Sequence, residues 1–237
     1  MLELGRISSH YFELFLRDEL FESEKDNSKI HILEAYLNLN LMISEITKCE
    51  LFCNQLLDLN PSSMIAHCSK LEICFRKNDW NEVIKECEYL IEHVKFEKDK
   101  HKAMYRKALA LANRANKEDD FKNAITLCKS IVEDEEGKEK NTYADVYHTL
   151  SSIYQRLNDY LNQRKYAIKT FKTFPIEKKF FHNAINLLKG PPIGKEDQYN
   201  VKESMEIMSK LINIKNNCNN DKYSNKHRYF LFFYPFN

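Results

Sequence analysis

The sequence is 237 residues long and carries only four Gly and five Pro. Average usage would supply roughly 12% of these two turn formers together, so a Gly-rich nucleotide fold, a β-sandwich and a linker-rich chain are excluded. Lys plus Arg number 36 against 35 for Asp plus Glu, a net charge of +1, which lacks the surplus that phosphate binding draws on and makes nucleic acid an unlikely partner. A packed, mostly helical chain of one or two domains is the expectation.

The first stretch, Leu2–Glu22, predicts a leading helix. Its apolar residues are broken by His10, Glu13 and Arg17, unlike the continuous apolar core of a signal peptide. With the polar residues that follow, it makes residues 1–29 an N-terminal helix and linker. The longest apolar run, Tyr229 to Phe236, is too short to span a bilayer, which takes about 20 residues, so no membrane partner is expected. Seven Cys, an odd number at scattered spacings, do not make a disulfide framework and suit a reducing compartment. Cytoplasmic location is the default, with the nucleus as the other choice.

From residue 30 the chain repeats itself. Helical stretches at Ile30–Ile43, Met64–Arg76, Lys102–Arg114 and Thr142–Leu157 are each followed by a second amphipathic segment. These segments begin SEITKCELFC, NDWNEVIKEC, DDFKNAITLC and NDYLNQRKYA. Each opens on a turn-tolerant residue (Ser44, Asn78, Asp119, Asn158), continues with an acid (Glu45, Asp79, Asp120, Asp159), then places one large apolar residue (Ile46, Trp80, Phe121, Tyr160). Asn and Asp tolerate the left-handed conformation of a tight turn, and Asp caps a helix start. Apolar residues then recur at helical spacing, which buries one face. Ile46 to Trp80 is 34 residues, and the next two intervals are 41 and 39.

A helix–turn–helix unit with a 34-residue period resembles the tetratricopeptide (TPR) family. Pro61 and Pro175, each 15 residues beyond the large apolar residue of its copy, match the proline with which that family closes its second helix. The second and third copies carry Lys95 and Glu136 there. The small residue early in the second helix is matched by Cys49, Val83 and Ala124, whereas Gln163 departs from it. The resemblance implies an all-α fold, a right-handed superhelix of about four helix pairs. These and a following helix, Ile176–Leu188, occupy residues 30–189. Residues 190–237 form a C-terminal extension: a Gly190–Gly194 break, a helix over Val201–Ile214, and a tail expected to be disordered at Asn216–Asn225.

Several features imitate chemistry. Cys49 and Cys53 share a helix face, as zinc ligands can, but Cys53, Cys87 and Cys128 hold one equivalent position in three copies, which reads as packing. Gly190 to Lys195 fails as a phosphate loop because only three residues separate the glycines and Glu196 replaces the magnesium-binding hydroxyl. No H-E-x-x-H pair and no Gly-x-Ser-x-Gly elbow is present. Trp80 occupies the anchoring position of its copy, which favours a core role over base stacking. No metal, no cofactor and no catalytic residue is expected.

The resemblance implies a concave groove lined by the first helix of each pair, where such repeats take a peptide. Lys102 and Arg106, in KHKAMYRKALALA, resemble the chaperone-binding TPR subgroup, in which a Lys and an Arg four apart hold the C-terminal carboxylate of a heat-shock protein. Ser69 stands where that subgroup has an Asn, and Glu34 and Asn38 where it has Lys and Asn. A second feature is basic: residues 161–190 contain Arg164, Lys165, Lys169, Lys172, Lys178, Lys179 and Lys189 against one acid, Glu177, which could steer an acidic partner. The expectation is a non-catalytic protein-interaction scaffold, with a heat-shock co-chaperone adaptor as its sharper form. The alternatives are a structural subunit of a larger assembly and, less favoured, an RNA-binding helical repeat.

Overall fold

A computed structural model describes residues 2–17, 24–43, 46–114, 118–133, 140–173, 202 and 205–210. The described residues are helical, with turns between the helices, and contain no strand. In chain order the helices are α1 (Leu2–Leu16), α2 (Asp26–Ile43), α3 (Ile46–Leu59), α4 (Met64–Lys77), α5 (Trp80–His93), α6 (Glu97–Arg114), α7 (Glu118–Glu133), α8 (Lys140–Arg156) and α9 (Tyr160–Thr173). Residues 205–210 are also helical. The expected features at Ser44, Pro175, Ile176–Leu188, Gly190–Gly194, Asn216–Asn225, Cys218 and Tyr229–Phe236 lie outside the described residues. The chain divides into two compact units, one built on Met1–Ala110 and the other on Leu111–Arg228.

Two of the predicted turns are built alike. Asn78 and Asn158 stand in the left-handed region, with φ 58° and 56°. The Asn78 N–H donates to the Phe75 carbonyl and the Asp79 N–H to the Cys74 carbonyl; Asn158 and Asp159 repeat the pattern on Gln155 and Tyr154. This is the six-residue closure that satisfies the last carbonyls of a helix. The next residue then caps the following helix. Asp79 accepts from the Glu82 N–H at 3.3 Å, and Asp159 from the Asn162 N–H at 3.1 Å. One dipeptide, Asn-Asp, ends one helix and starts the next.

In the first unit, α1 packs on α2, α2 on both α3 and α4, and α3 and α5 on α4. Leu33, Tyr36 and Leu37 of α2, Cys49, Phe52, Cys53 and Leu56 of α3, and Ala66 and Ile73 of α4 form one core. The Tyr36 and Phe52 rings meet edge to face at 4.7 Å. Ser9 of α1 donates to buried Asn40 at 2.6 Å, so the leading helix is seated by a polar contact as well as by apolar ones. Its other face leaves Ile7, Tyr11 and Leu14 exposed, at helical spacing. The α4–α5 joint holds a buried acid: Glu86 takes His67 Nδ1 at 2.7 Å and Lys70 Nζ at 2.7 Å, and His67 Nε2 lies 3.0 Å from the Pro61 carbonyl.

In the second unit, α8 packs on both α7 and α9. Val146, Leu150 and Ile153 of α8 and Ile168 and Phe171 of α9 are all buried. Ser151 donates to the Gln163 carbonyl at 3.0 Å, and Gln163 itself is half-buried. Arg114 forks onto buried Asp120 at 3.1 and 2.6 Å. In this copy the acid after the turn residue therefore takes an arginine.

The equivalent position in the second helices is buried throughout: Cys53, Cys87, Cys128 and Ala167. Burial pushes the Cys53, Cys87 and Cys128 thiols up to about 12. Trp80 is only half-buried, its ring edge-on to Phe75 at 5.5 Å, whereas Tyr160 is buried.

Candidate functional site

Helix α6 begins at Glu97, five residues before the start expected from the sequence. Glu97 and Asp99 occupy its first turn, where carboxylates complement the helix dipole. This extension sets the environment of Lys102. Asp99, nearly one turn earlier, lies 2.9 Å from Lys102 Nζ. Arg106, one turn later, reaches across to Glu72 of α4 at 3.4 Å and stacks over the Phe75 ring at 4.6 Å. Glu72 also holds Arg76 at 2.9 Å. The two cations expected to grip a carboxylate thus each face a carboxylate of the chain itself.

The other expected groove residues diverge. Ser69 is buried, and its hydroxyl donates to the Ile65 carbonyl at 2.7 Å. This corrects its assignment to the groove. It shares a helix face with Ala66 and Ile73, three and four positions away, and that face is core. Asn38 is half-buried on α2, and its side chain holds no polar partner among the described residues. Glu34 accepts from Ser63 at 3.2 Å.

The basic patch is also redistributed. Arg164 is buried, which removes it from the surface patch. The helical period puts Arg164 on the face of Ile168 and Phe171 and puts Lys165, Lys169 and Lys172 on the outer face. Lys172 lies 3.7 Å from Glu206. Lys165 Nζ stands 5.6 Å from the centre of the Tyr166 ring. Lys169 Nζ stands 5.6 Å from that same centre and 5.3 Å from that of Tyr147. Tyr166 stacks on Tyr154 at 5.6 Å and on Tyr147 at 6.1 Å. Burial raises the Tyr147 and Tyr166 hydroxyls above the usual phenol range. Lys178 and Lys179 lie outside the described residues.

Sequence reasoning missed Glu72, Phe75 and Asp99. A signal existed for one of them: Asp99 is three residues before Lys102, within reach along one helix face. The aromatic setting of Lys165 and Lys169 depends on how α8 meets α9 and has no local signal. Among the described residues, no group of three or more His, Cys, Asp or Glu could hold a metal ion, and no helix is long and apolar enough to cross a membrane.

No family model matches the chain, and no curated protein matches it. Among solved structures, the crystal structure of BtubC (BKLC) from P. vanneervenii is similar to it, with a TM-score of 0.58 over 100% of this chain and 97% of that one. The two sequences are 11% identical, so the likeness concerns the fold alone.

Proposed function

We propose that this chain is a non-catalytic protein-interaction scaffold of tetratricopeptide type, a right-handed superhelix that binds a peptide or protein segment along the face formed by its first helices. One observation carries the reading: first helices lie side by side. Helix α2 packs on α4, and α6 is tied to α4 by the Arg106–Glu72 pair. Neighbouring first helices present a continuous row of side chains to an extended ligand.

The sharper form is a cytoplasmic heat-shock co-chaperone adaptor, in which Lys102 and Arg106 take a terminal carboxylate in exchange for Asp99 and Glu72. Its test uses a fluorescent acidic peptide with a free C-terminus and its amidated twin. Amidation and the double substitution Lys102→Ala/Arg106→Ala each weaken binding at least about tenfold, the scale of a lost charge-assisted contact. Glu72→Gln strengthens it by removing the internal competitor. Equal affinity for the two peptides, or no response to the double substitution, overturns the adaptor reading.

A second reading, a structural subunit of a larger assembly, draws on exposed apolar side chains: Ile7, Tyr11 and Leu14 on α1, and Met205 and Met208 near the C-terminal end of the described residues. Such stripes suit a partner's surface. Sedimentation at increasing concentration checks it. A monomer throughout, unchanged by Tyr11→Glu or Met205→Glu, counts against self-association by these stripes.

A further inference from the structure

We infer that the outer face of α9, centred on Lys165 and Lys169, docks an acidic, carboxylate-rich segment of a partner protein. The inference rests on reading the chain as a protein-binding scaffold and concerns lysines other than Lys102 and Arg106.

The argument begins with charge compensation. The cations of α4 and several of α6 stand against carboxylates: Lys70 on Glu86, Arg76 and Arg106 on Glu72, Lys77 on Glu50, Lys102 on Asp99, Lys107 on Glu88, Arg114 on Asp120. Helix α9 contains no acid at all. Asp145, the acid of α8, is buried. Among the described residues, Lys165 and Lys169 have no carboxylate partner. They rest on tyrosine rings, and both ammonium groups lie 5.6 Å from the centre of one ring, that of Tyr166.

Two like charges are therefore gathered on one ring. Cation–π attraction offsets part of their repulsion, and an anion arriving at the pair would relieve the rest. Lys129 of α7 is also within Coulomb reach of Tyr166. Among the described residues, Glu133 at the end of α7 also acts on Tyr166 through its charge but pairs with neither α9 lysine. The Tyr147 hydroxyl, protonated at neutral pH like any phenol, can donate a hydrogen bond to a carboxylate.

The chemistry favours an acidic protein segment over nucleic acid. Bases bind by stacking on open ring faces, and Tyr166 is buried, its ring already packed by Tyr154, Tyr147 and two ammonium groups. Carboxylates need only the exposed ammonium groups.

The test uses the full chain and an acetylated, amidated deca-glutamate, which has no terminal carboxylate for Lys102 and Arg106 to recognise. A ten-nucleotide uridine RNA is the second probe. At low salt the peptide binds, binding weakens about tenfold in Lys165→Gln/Lys169→Gln, and it is lost in Lys165→Glu/Lys169→Glu. Both positions are exposed, and circular dichroism checks that each variant stays folded. Lys77→Gln/Lys85→Gln, at two exposed lysines outside α9, leaves this binding unchanged. The inference is overturned if deca-glutamate does not bind, or if the charge reversals leave its affinity within twofold. It is equally overturned if the RNA binds more tightly than the peptide through the same lysines. Binding of a free-carboxylate peptide that depends on Lys102 and Arg106 alone would sink this inference and leave the groove reading standing.

Discussion

The Asn-Asp turn can be tested one residue at a time. Asn78 has φ 58°, a region that costs a residue with a Cβ about 1–2 kcal/mol, with Asn among the few side chains that visit it routinely. Asn78→Ala keeps the Cβ and loses the local polar side chain, so it should destabilise by about 1 kcal/mol. Asn78→Gly removes the steric cost but frees the unfolded chain by about 0.4–1 kcal/mol, leaving a net change within about 0.5 kcal/mol. Asp79→Ala removes the acceptor of the Glu82 N–H and should lose about 1 kcal/mol. Asn158 and Asp159 repeat the geometry and should repeat the order. Each turn closes on carbonyls of the helix before it, so Asn78→Ala and Asn158→Ala should add. Urea unfolding followed by circular dichroism reads each difference as a shift of midpoint at constant slope. If Asn78→Ala is as stable as Asn78→Gly, the left-handed residue is not what limits this turn and the reasoning fails.

The thiols make further predictions. Cys53, Cys68, Cys87 and Cys128 are held at about 12 by burial, so at pH 8 they should resist iodoacetamide in the folded chain and react once urea unfolds it; mass-spectrometric mapping that finds rapid labelling of Cys87 in the folded chain would refute the packing assignment. Stability should also fall at alkaline pH. Between the ordinary thiol value and about 12 the folded state binds more protons than the unfolded one, so the unfolding free energy declines as pH rises, by about 1.4 kcal/mol per pH unit for each thiol fully inside that window. Cys128→Ala should flatten the alkaline limb, and an unchanged limb would show that other groups carry it.

Local rules made much of the fold legible. The Asn-Asp dipeptides announced two turns because one residue tolerates the left-handed region and the next caps a helix. Cys53, Cys87 and Cys128 announced a buried register because small residues recurred at one phase. The start of α6 was misplaced, since the sequence KDKHK looks polar on every side. Glu97 and Asp99 extend the helix by their charge at its N-terminus, a first-turn signal carried by residues other than the apolar ones. Ser69 and Arg164 went wrong for a shared reason. Ser69 was placed by its match to the resembled subgroup and Arg164 by its charge, while helical phase places Ser69 with Ala66 and Ile73, and Arg164 with Ile168 and Phe171, on buried faces. The partners of Arg106, Glu72 and Phe75, stand on another helix, α4, and no local spacing announces them.

The net charge of +1 conceals a division of labour among the cations. A basic count along the sequence treats Arg106 and Lys169 alike, yet an incoming anion would meet them differently. At Arg106 it must replace Glu72, so the gain is only the difference between two carboxylates. At Lys169 it replaces solvent and relieves the repulsion of Lys165. Exposed pairs are individually weak and screened by salt, so the contribution of α9 should appear chiefly as a faster, salt-sensitive encounter. Selectivity must then come from side chains that fill a surface. A scaffold that gathered an acidic partner on α9 and read its sequence along the first helices would show the two effects separately: charge reversal at Lys165 and Lys169 would lower the association rate, and substitutions along the first helices would raise the dissociation rate.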